Sequence, residues 1–172
     1  MSFSVSIIGS FRQNYDAVIQ VAEEFESLGV TVSSPAVSRI INPGAGFVRF
    51  ETDSPWLPDQ LIQAAALRRI LSSDLVYVVA PGGYVGITTC YELGRVQECR
   101  IPTYFSAAPR DLPIAVPPES VVGVRDLVRR VGREPARPAA AAPQGRLTRG
   151  GGRWRRGSCR SGHPVRPGSS GR

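Results

Sequence analysis

Residues 80–94 read Ala-Pro-Gly-Gly-Tyr-Val-Gly-Ile-Thr-Thr-Cys-Tyr-Glu-Leu-Gly, and their reading decides the fold of this chain. An apolar run over residues 75–80 stops at Pro81. Glycines at 82, 83 and 86 follow, then Thr88 and Thr89, then a helix-forming segment that carries Glu92. A strand, a glycine loop and a helix start in succession make a site for something anionic. Glycine lets backbone N–H groups come close to a ligand, and a helix N-terminus supplies positive potential. A helix beginning at Thr89 puts Glu92 in its first turn, beside whatever the loop holds.

Outward from this stretch, strands alternate with helices. Residues 4–8 (Ser-Val-Ser-Ile-Ile) read as a strand ended by Gly9-Ser10. Asn14 is placed to cap a helix through Leu28, in which Val18, Val21, Ala22, Phe25 and Leu28 recur at helical spacing. Gly29 stops that helix, and residues 30–33 form a second short strand. Residues 34–57 make a loop of about 24 residues, too long for a plain connection, which predicts a binding loop or lid. Pro58 fits the first turn of a helix reaching Ser72. The fully apolar third strand is the kind covered by helices on both faces. Residues 102–105 predict a fourth strand, residues 114–116 a fifth, and residues 120–131 a closing helix. The expected fold is therefore α/β: an open, mostly parallel, five-stranded, flavodoxin-like (Rossmann-like) sheet with helices on both faces.

The chain has 172 residues and a formal charge of +7. The charge does not belong to the predicted fold. Residues 1–132 hold 11 Arg against 13 Asp and Glu, whereas residues 133–172 hold 10 Arg against one Glu. All 21 basic residues are Arg. Two regions follow: an α/β domain over residues 1–132 and an Arg/Gly/Pro-rich tail over residues 133–172. The tail has too few large apolar residues to order itself and is expected to be disordered. A nucleic-acid contact, if any, would belong to that tail alone. The three cysteines, Cys90, Cys99 and Cys159, show no zinc spacing, and neither a metal nor a cofactor is expected. No apolar run has membrane-spanning length and the N-terminus lacks a signal-peptide pattern, so a cytoplasmic protein is expected.

In open α/β sheets, ligands sit outside the carboxyl ends of the strands where the strand order reverses. In the order 2-1-3-4-5, the loops after strands 1 and 3 open into one crevice. The first offers Gly9, Ser10, Phe11 and Arg12; the second offers Gly82, Gly83, Tyr84, Gly86, Thr88 and Thr89. An Arg guanidinium binds phosphate through two parallel hydrogen bonds. Two readings of Glu92 stand side by side. Thr89-Cys90-Tyr91-Glu92 matches a capping box, in which Glu92 only caps its own helix. The converging first loop favours a Glu92 that faces a ligand. Arg12 either contacts that ligand or pairs with Asp16 at i+4. Arg68 and Arg69 read as a solvated helix face. Cys90, in the same first turn as Glu92, has the helix position that lowers a thiol pKa but no histidine nearby in sequence to act as its base.

These two segments carry a family resemblance. Gly9-Ser10-Phe11-Arg12 after the first strand, with Gly86-Ile87-Thr88-Thr89-Cys90-Tyr91-Glu92-Leu93-Gly94 after the third, resembles the nucleoside 2-deoxyribosyltransferase superfamily. That superfamily includes the deoxynucleoside 5′-monophosphate N-glycosidases, and the resemblance covers roughly residues 3–116. Pro81-Gly82-Gly83-Tyr84 is also similar, less closely, to the Pro-Gly-Gly-x-Gly-Thr-x-x-Glu loop of the lysine-decarboxylase-like phosphoribohydrolases. The resemblance implies that Glu92 is a nucleophile that attacks C1′ of the sugar and expels the base, and that Gly9, Ser10 and Arg12 help to hold the nucleotide. It also implies a homo-oligomer. The chain departs from the family pattern at Ala66, where many members have an aspartate that interacts with the base, and at Gly86, where an aspartate or serine is common; Thr88 or Thr89 is placed to replace the second contact.

The expected activity is thus an N-glycosidase or N-glycosyltransferase acting on a nucleoside or nucleoside 5′-monophosphate. The alternative is a nucleotide-binding sensor module of the same fold without turnover. Glu51, Asp53, Asp59 and Tyr84 are the candidate proton donors for the leaving base. Phe47, Phe50 and Trp56 either stack on that base or pin the long loop to the core. Asp74 precedes a strand that rises about 3.3 Å per residue, which puts it roughly 20 Å from the glycine loop in a structural role.

Overall fold

The computed structural model describes residues 3–35, 39–42, 45 and 47–132. The predicted tail, residues 133–172, lies outside the described residues. Four strands, β1 (Ser4–Gly9), β2 (Thr31–Ser34), β3 (Leu75–Val79) and β4 (Thr103–Phe105), form one sheet in the order β2-β1-β3-β4. Every pairing is parallel. The helices are α1 (Phe11–Ser27), α2 (Asp59–Leu71), α3 (Ile87–Glu98) and α4 (Val124–Val131).

Sheet and helices bury two separate apolar layers. On one face Val5, Ile7, Leu75, Tyr77 and Val79 pack with Val18, Ala22 and Phe25 of α1 and with Val124 and Leu127 of α4. On the other, Ile8, Val76 and Val78 pack with Ile70 of α2 and with Leu93 and Val96 of α3. Strand β3 feeds both layers, and for that reason its five residues are all buried and all apolar or aromatic. Tyr77 sits edge-on to Phe25, with ring centroids 5.3 Å apart, and its hydroxyl donates to the Val122 carbonyl at 2.8 Å. Asp74 has the structural role its position predicted. Its carboxylate accepts from the backbone N–H and hydroxyl of Ser4 at 2.7 and 2.8 Å, tying the starts of β1 and β3 together.

Several expectations about the elements need correction, among them the closing helix expected over residues 120–131, which starts only at Val124 after a separate turn at Pro118–Ser120. The predicted fifth strand over residues 114–116 does not form, so the sheet has four strands. Pro113, Pro117 and Pro118 bracket that segment, and proline supplies no ladder donor. Ile114 and Val116 pack against the core without pairing, and a single parallel bridge from Phe105 to Val121 takes the place of a strand. The first helix starts at Phe11 after Ser10, not after Asn14. Asn14 instead interrupts the helix at φ −127° and ψ 32°, with its side-chain nitrogen buried and unbonded. The third helix starts at Ile87, two residues before the expected Thr89.

The sheet sets up the site through one register. Gly9, the last residue of β1, pairs with Val79, the last residue of β3. The chain leaves both strands side by side, where the order reverses between β1's two neighbours. A Cβ on Gly9 would meet the Val79 carbonyl oxygen at 2.8 Å and a methyl group of Val18 at 3.3 Å. Gly9→Ala is therefore expected to lower stability by about 1–3 kcal/mol, as overpacking of a tight interior does. The check is the denaturant midpoint of unfolding, at an unchanged m-value.

Candidate active site

The loops after β1 and β3 open into one cavity of about 310 Å³. Its floor is the end of β1, Ile7 to Gly9. One wall is the start of α1, with Ser10, Phe11 and Arg12; a second is the start of α3, with Ile87, Thr88, Thr89 and Glu92. Helix α2 supplies Ile62, Gln63, Ala66, Arg69 and Ile70, which recur at the three- and four-residue spacing of one helix face. The long loop closes the remaining side with Phe47, Val48, Phe50, Thr52 and Asp53.

Glu92 is the chemical centre of this cavity. It is the sixth residue of α3, in the second helical turn, so the capping box does not form and the first-turn assignment is corrected. The residue at the N-cap is Gly86, at φ 86°, which offers no side chain to the helix start. Glu92 is only 7% exposed, and Gln63 Nε2 donates to its Oε1 at 2.8 Å. No Arg pairs with it among the described residues. Burial pushes its pKa from 4.5 up to about 7, against the Gln63 hydrogen bond, which lowers it. Burying a carboxylate without a cation costs stability, and strongly perturbed carboxyls concentrate at functional sites.

The structure sorts the sequence-predicted residues by what they face. Gly9, Ser10, Phe11, Arg12, Tyr84, Gly86, Thr88, Thr89 and Glu92 all reach the cavity. Arg12 makes no pair with Asp16; its side chain is exposed at the cavity wall. Gly82 and Gly83 do not reach it, a correction to the reading of the whole loop as ligand-facing. Gly83 is buried behind the loop, where a Cβ would lie 2.7 Å from the Ala108 carbonyl oxygen and from the Arg110 side chain. The loop's amides are also partly spent. The Asp111 carboxylate accepts from Val85 N–H at 3.1 Å and from Gly86 N–H at 3.4 Å. Gln13 and Asn14 N–H already donate to the Ser10 carbonyl and Cys90 N–H to that of Gly86, so the amides left for an anion are those of Phe11 and Arg12 on α1 and of Ile87, Thr88 and Thr89 on α3.

Among the proton-donor candidates, Asp53 and Tyr84 line the cavity. Glu51 instead pairs with Arg39 at 3.5 Å, and Asp59 with Arg49 at 2.6 Å. The Arg49 pair ties the long loop to the start of α2, and an isolated antiparallel bridge joins Ile40 to Phe50 within the loop. Phe50 meets Phe11 edge-on at 5.4 Å, and Phe47 faces the cavity beside it. Trp56 is 91% exposed and contributes nothing to the wall. At Cys90, burial first and then the nearby Asp111 push the thiol pKa up, and these outweigh a backbone hydrogen bond that lowers it.

Sequence reasoning missed Gln63 and Arg69. Arg69, expected on a solvated face, lines the cavity. The available signal was Gln63 itself, an amide on a stripe with Ile62, Ala66, Arg69 and Ile70. Among the described residues no group of His, Cys, Asp and Glu is placed to hold a metal ion, and no helix is long and apolar enough to cross a membrane. No family model matches the chain, and neither a curated protein nor a solved structure does.

The raised pKa makes a stability prediction. Between pH 4.5 and about 7 the folded chain holds a proton on Glu92 that the unfolded chain has lost, so stability falls over that window as pH rises and levels off above it. Glu92→Gln has no such proton to lose. Its stability relative to the parent is expected to rise by up to about 3 kcal/mol from the acid to the alkaline side of the window. Urea unfolding of both proteins across that range measures it.

Proposed function

We propose that this chain is an N-glycosidase or N-glycosyltransferase acting on a nucleoside or nucleoside 5′-monophosphate, with Glu92 as nucleophile. The observation that carries the reading is a buried carboxylate with no cation partner among the described residues, facing a cavity that two helix starts and Arg12 share. The strand order β2-β1-β3-β4 agrees with the first four strands of a flavodoxin-like sheet, and with the resemblance to the nucleoside 2-deoxyribosyltransferase superfamily.

In this reading the phosphate or 5′-hydroxyl lies against Ser10, Arg12 and the first-turn amides of α1. The base lies against Phe47 and Phe50. A Glu92 oxygen bonds to C1′ as the C1′–N bond breaks, and the electron pair leaves with the base nitrogen, which takes up a proton. Asp53 and Tyr84 are the groups on the wall that can carry that proton. Water then attacks C1′, gives its proton to the group that protonated the base, and the C1′–O bond to Glu92 breaks to free the carboxylate; a second base in place of water gives transfer. Exposed Ile87 and Tyr91 on α3 and Leu61 on α2 support a homo-oligomer. Free nucleotides as substrates fit a cytoplasmic setting.

A non-catalytic nucleotide sensor is the second reading. It is favoured by Ala66, which lines the cavity where the superfamily commonly has an aspartate. Incubation with a panel of nucleosides and their 5′-monophosphates, with free base detected by chromatography, separates the two. Base release is expected from at least one substrate, with kcat/KM rising with pH through about 7 as Glu92 ionises. Glu92→Ala is expected to lower it by about 10³-fold or more, the scale on which loss of a covalent nucleophile acts. Release that survives this substitution rejects the nucleophile, and tight binding without release favours the sensor.

A further inference from the structure

The hydrogen bond from Gln63 to Glu92 crosses from α2 to α3 on the cavity wall. Of its neighbours on the same face of α2, Ile62, Ala66 and Ile70 bring no hydrogen-bonding side chain to the wall, and Arg69 is not hydrogen-bonded to Glu92. Among the described residues, Glu92 is the one partner of the Gln63 amide and Gln63 the one partner of the Glu92 carboxylate. Glu92 Oε2 and Gln63 Oε1 take no hydrogen bond from any of the described residues, and both side chains line the cavity.

We propose that Gln63 is the positioning residue of the site: its Nε2–H group holds Glu92 Oε1, which leaves Oε2 as the oxygen presented to the cavity. The proposal rests on the glycosidase reading for its catalytic meaning. The residue type suits the task. A neutral amide orients a carboxylate and favours its charged form without cancelling the charge, whereas an arginine or lysine here would form a buried ion pair and quench a nucleophile. An amide also has both a donor and an acceptor end, so it can partner the carboxylate and, turned over, the protonated acid.

Other charged or titratable groups share the cavity: Arg12 from α1, Arg69 from α2, Asp53 from the long loop and Tyr84 from the glycine loop. None of them is hydrogen-bonded to Glu92. The carboxyl is governed by burial and by Gln63, so a change at Gln63 reads out directly at Glu92.

The test uses the full chain with Gln63→Met, which keeps length and flexibility but donates nothing, and Gln63→Glu, which sets a second carboxyl opposite the first. The Glu92 carboxyl is titrated by ¹³C NMR, and base release is measured in parallel. From its starting point of about 7, the midpoint is expected to rise by about one unit in Gln63→Met, a tenfold shift in the protonation equilibrium. In Gln63→Glu it is expected to rise further as the two acids couple. The parallel expectation is a loss of kcat of about 10-fold or more with KM little changed, because a misdirected nucleophile is felt in the chemical step. An unmoved midpoint in either folded variant overturns the proposal, as does a moved midpoint with kcat intact. If the parent releases no base from any nucleotide while the midpoints move, the glycosidase reading falls and the Gln63–Glu92 coupling stands.

Discussion

The parallel pairing of β1 with β3 is the constraint on which the rest of the structure depends. It places Gly9 against Val79 at the carboxyl edge of the sheet, so two chain segments leave the sheet a few ångströms apart. From there α1 crosses to one face and α3 to the other, each anchored in a different apolar layer. A cavity opens between their N-terminal turns because neither helix can cover the gap while its own apolar face is committed elsewhere. The absence of a Cβ at Gly9 lets the two strands close to this distance.

The electrostatics of the cavity follow from the same arrangement. Glu92 is buried because Leu93 and Val96 of its own helix must reach the second apolar layer, which turns the helix face carrying Glu92 inward toward α2. Desolvation then favours the neutral acid, and a single amide opposes it. The glycine loop contributes shape more than charge. Two of its amides are engaged by Asp111, and its buried glycine carries the 106–111 segment behind it. The positive side of the cavity therefore lies with the first turns of α1 and α3 and with Arg12 and Arg69.

Much of this was legible in the residues. The apolar run at 75–79 predicted a strand covered on both faces, and it is buried throughout. Val18, Ala22 and Phe25 predicted the buried stripe of α1. The two loops after β1 and β3 were expected to share a crevice, and they do. Local patterns misled where two of them competed. Thr89-Cys90-Tyr91-Glu92 fits a capping box, but Gly86 at positive φ starts the helix earlier and turns that box into helix interior. Residues 114–116 look like a strand in isolation, yet prolines on both sides confine the segment to three residues, and it packs without joining the sheet.

What the sequence by itself determined is the four strands, the helices in outline and the chemistry they carry: β-branched runs for strands, helical stripes, a glycine turn and one acid after it. Hydrophobic periodicity and turn chemistry are local, so they can be read from neighbours along the chain. Only the tertiary structure decided that Glu92 is desolvated, that Gln63 is its partner across 29 positions of sequence, and that Asp53 faces the cavity while Asp59 is taken by Arg49. Those facts depend on which helix packs beside which and how each is rotated, and that is set by the burial of the whole sheet on both faces rather than by any short segment.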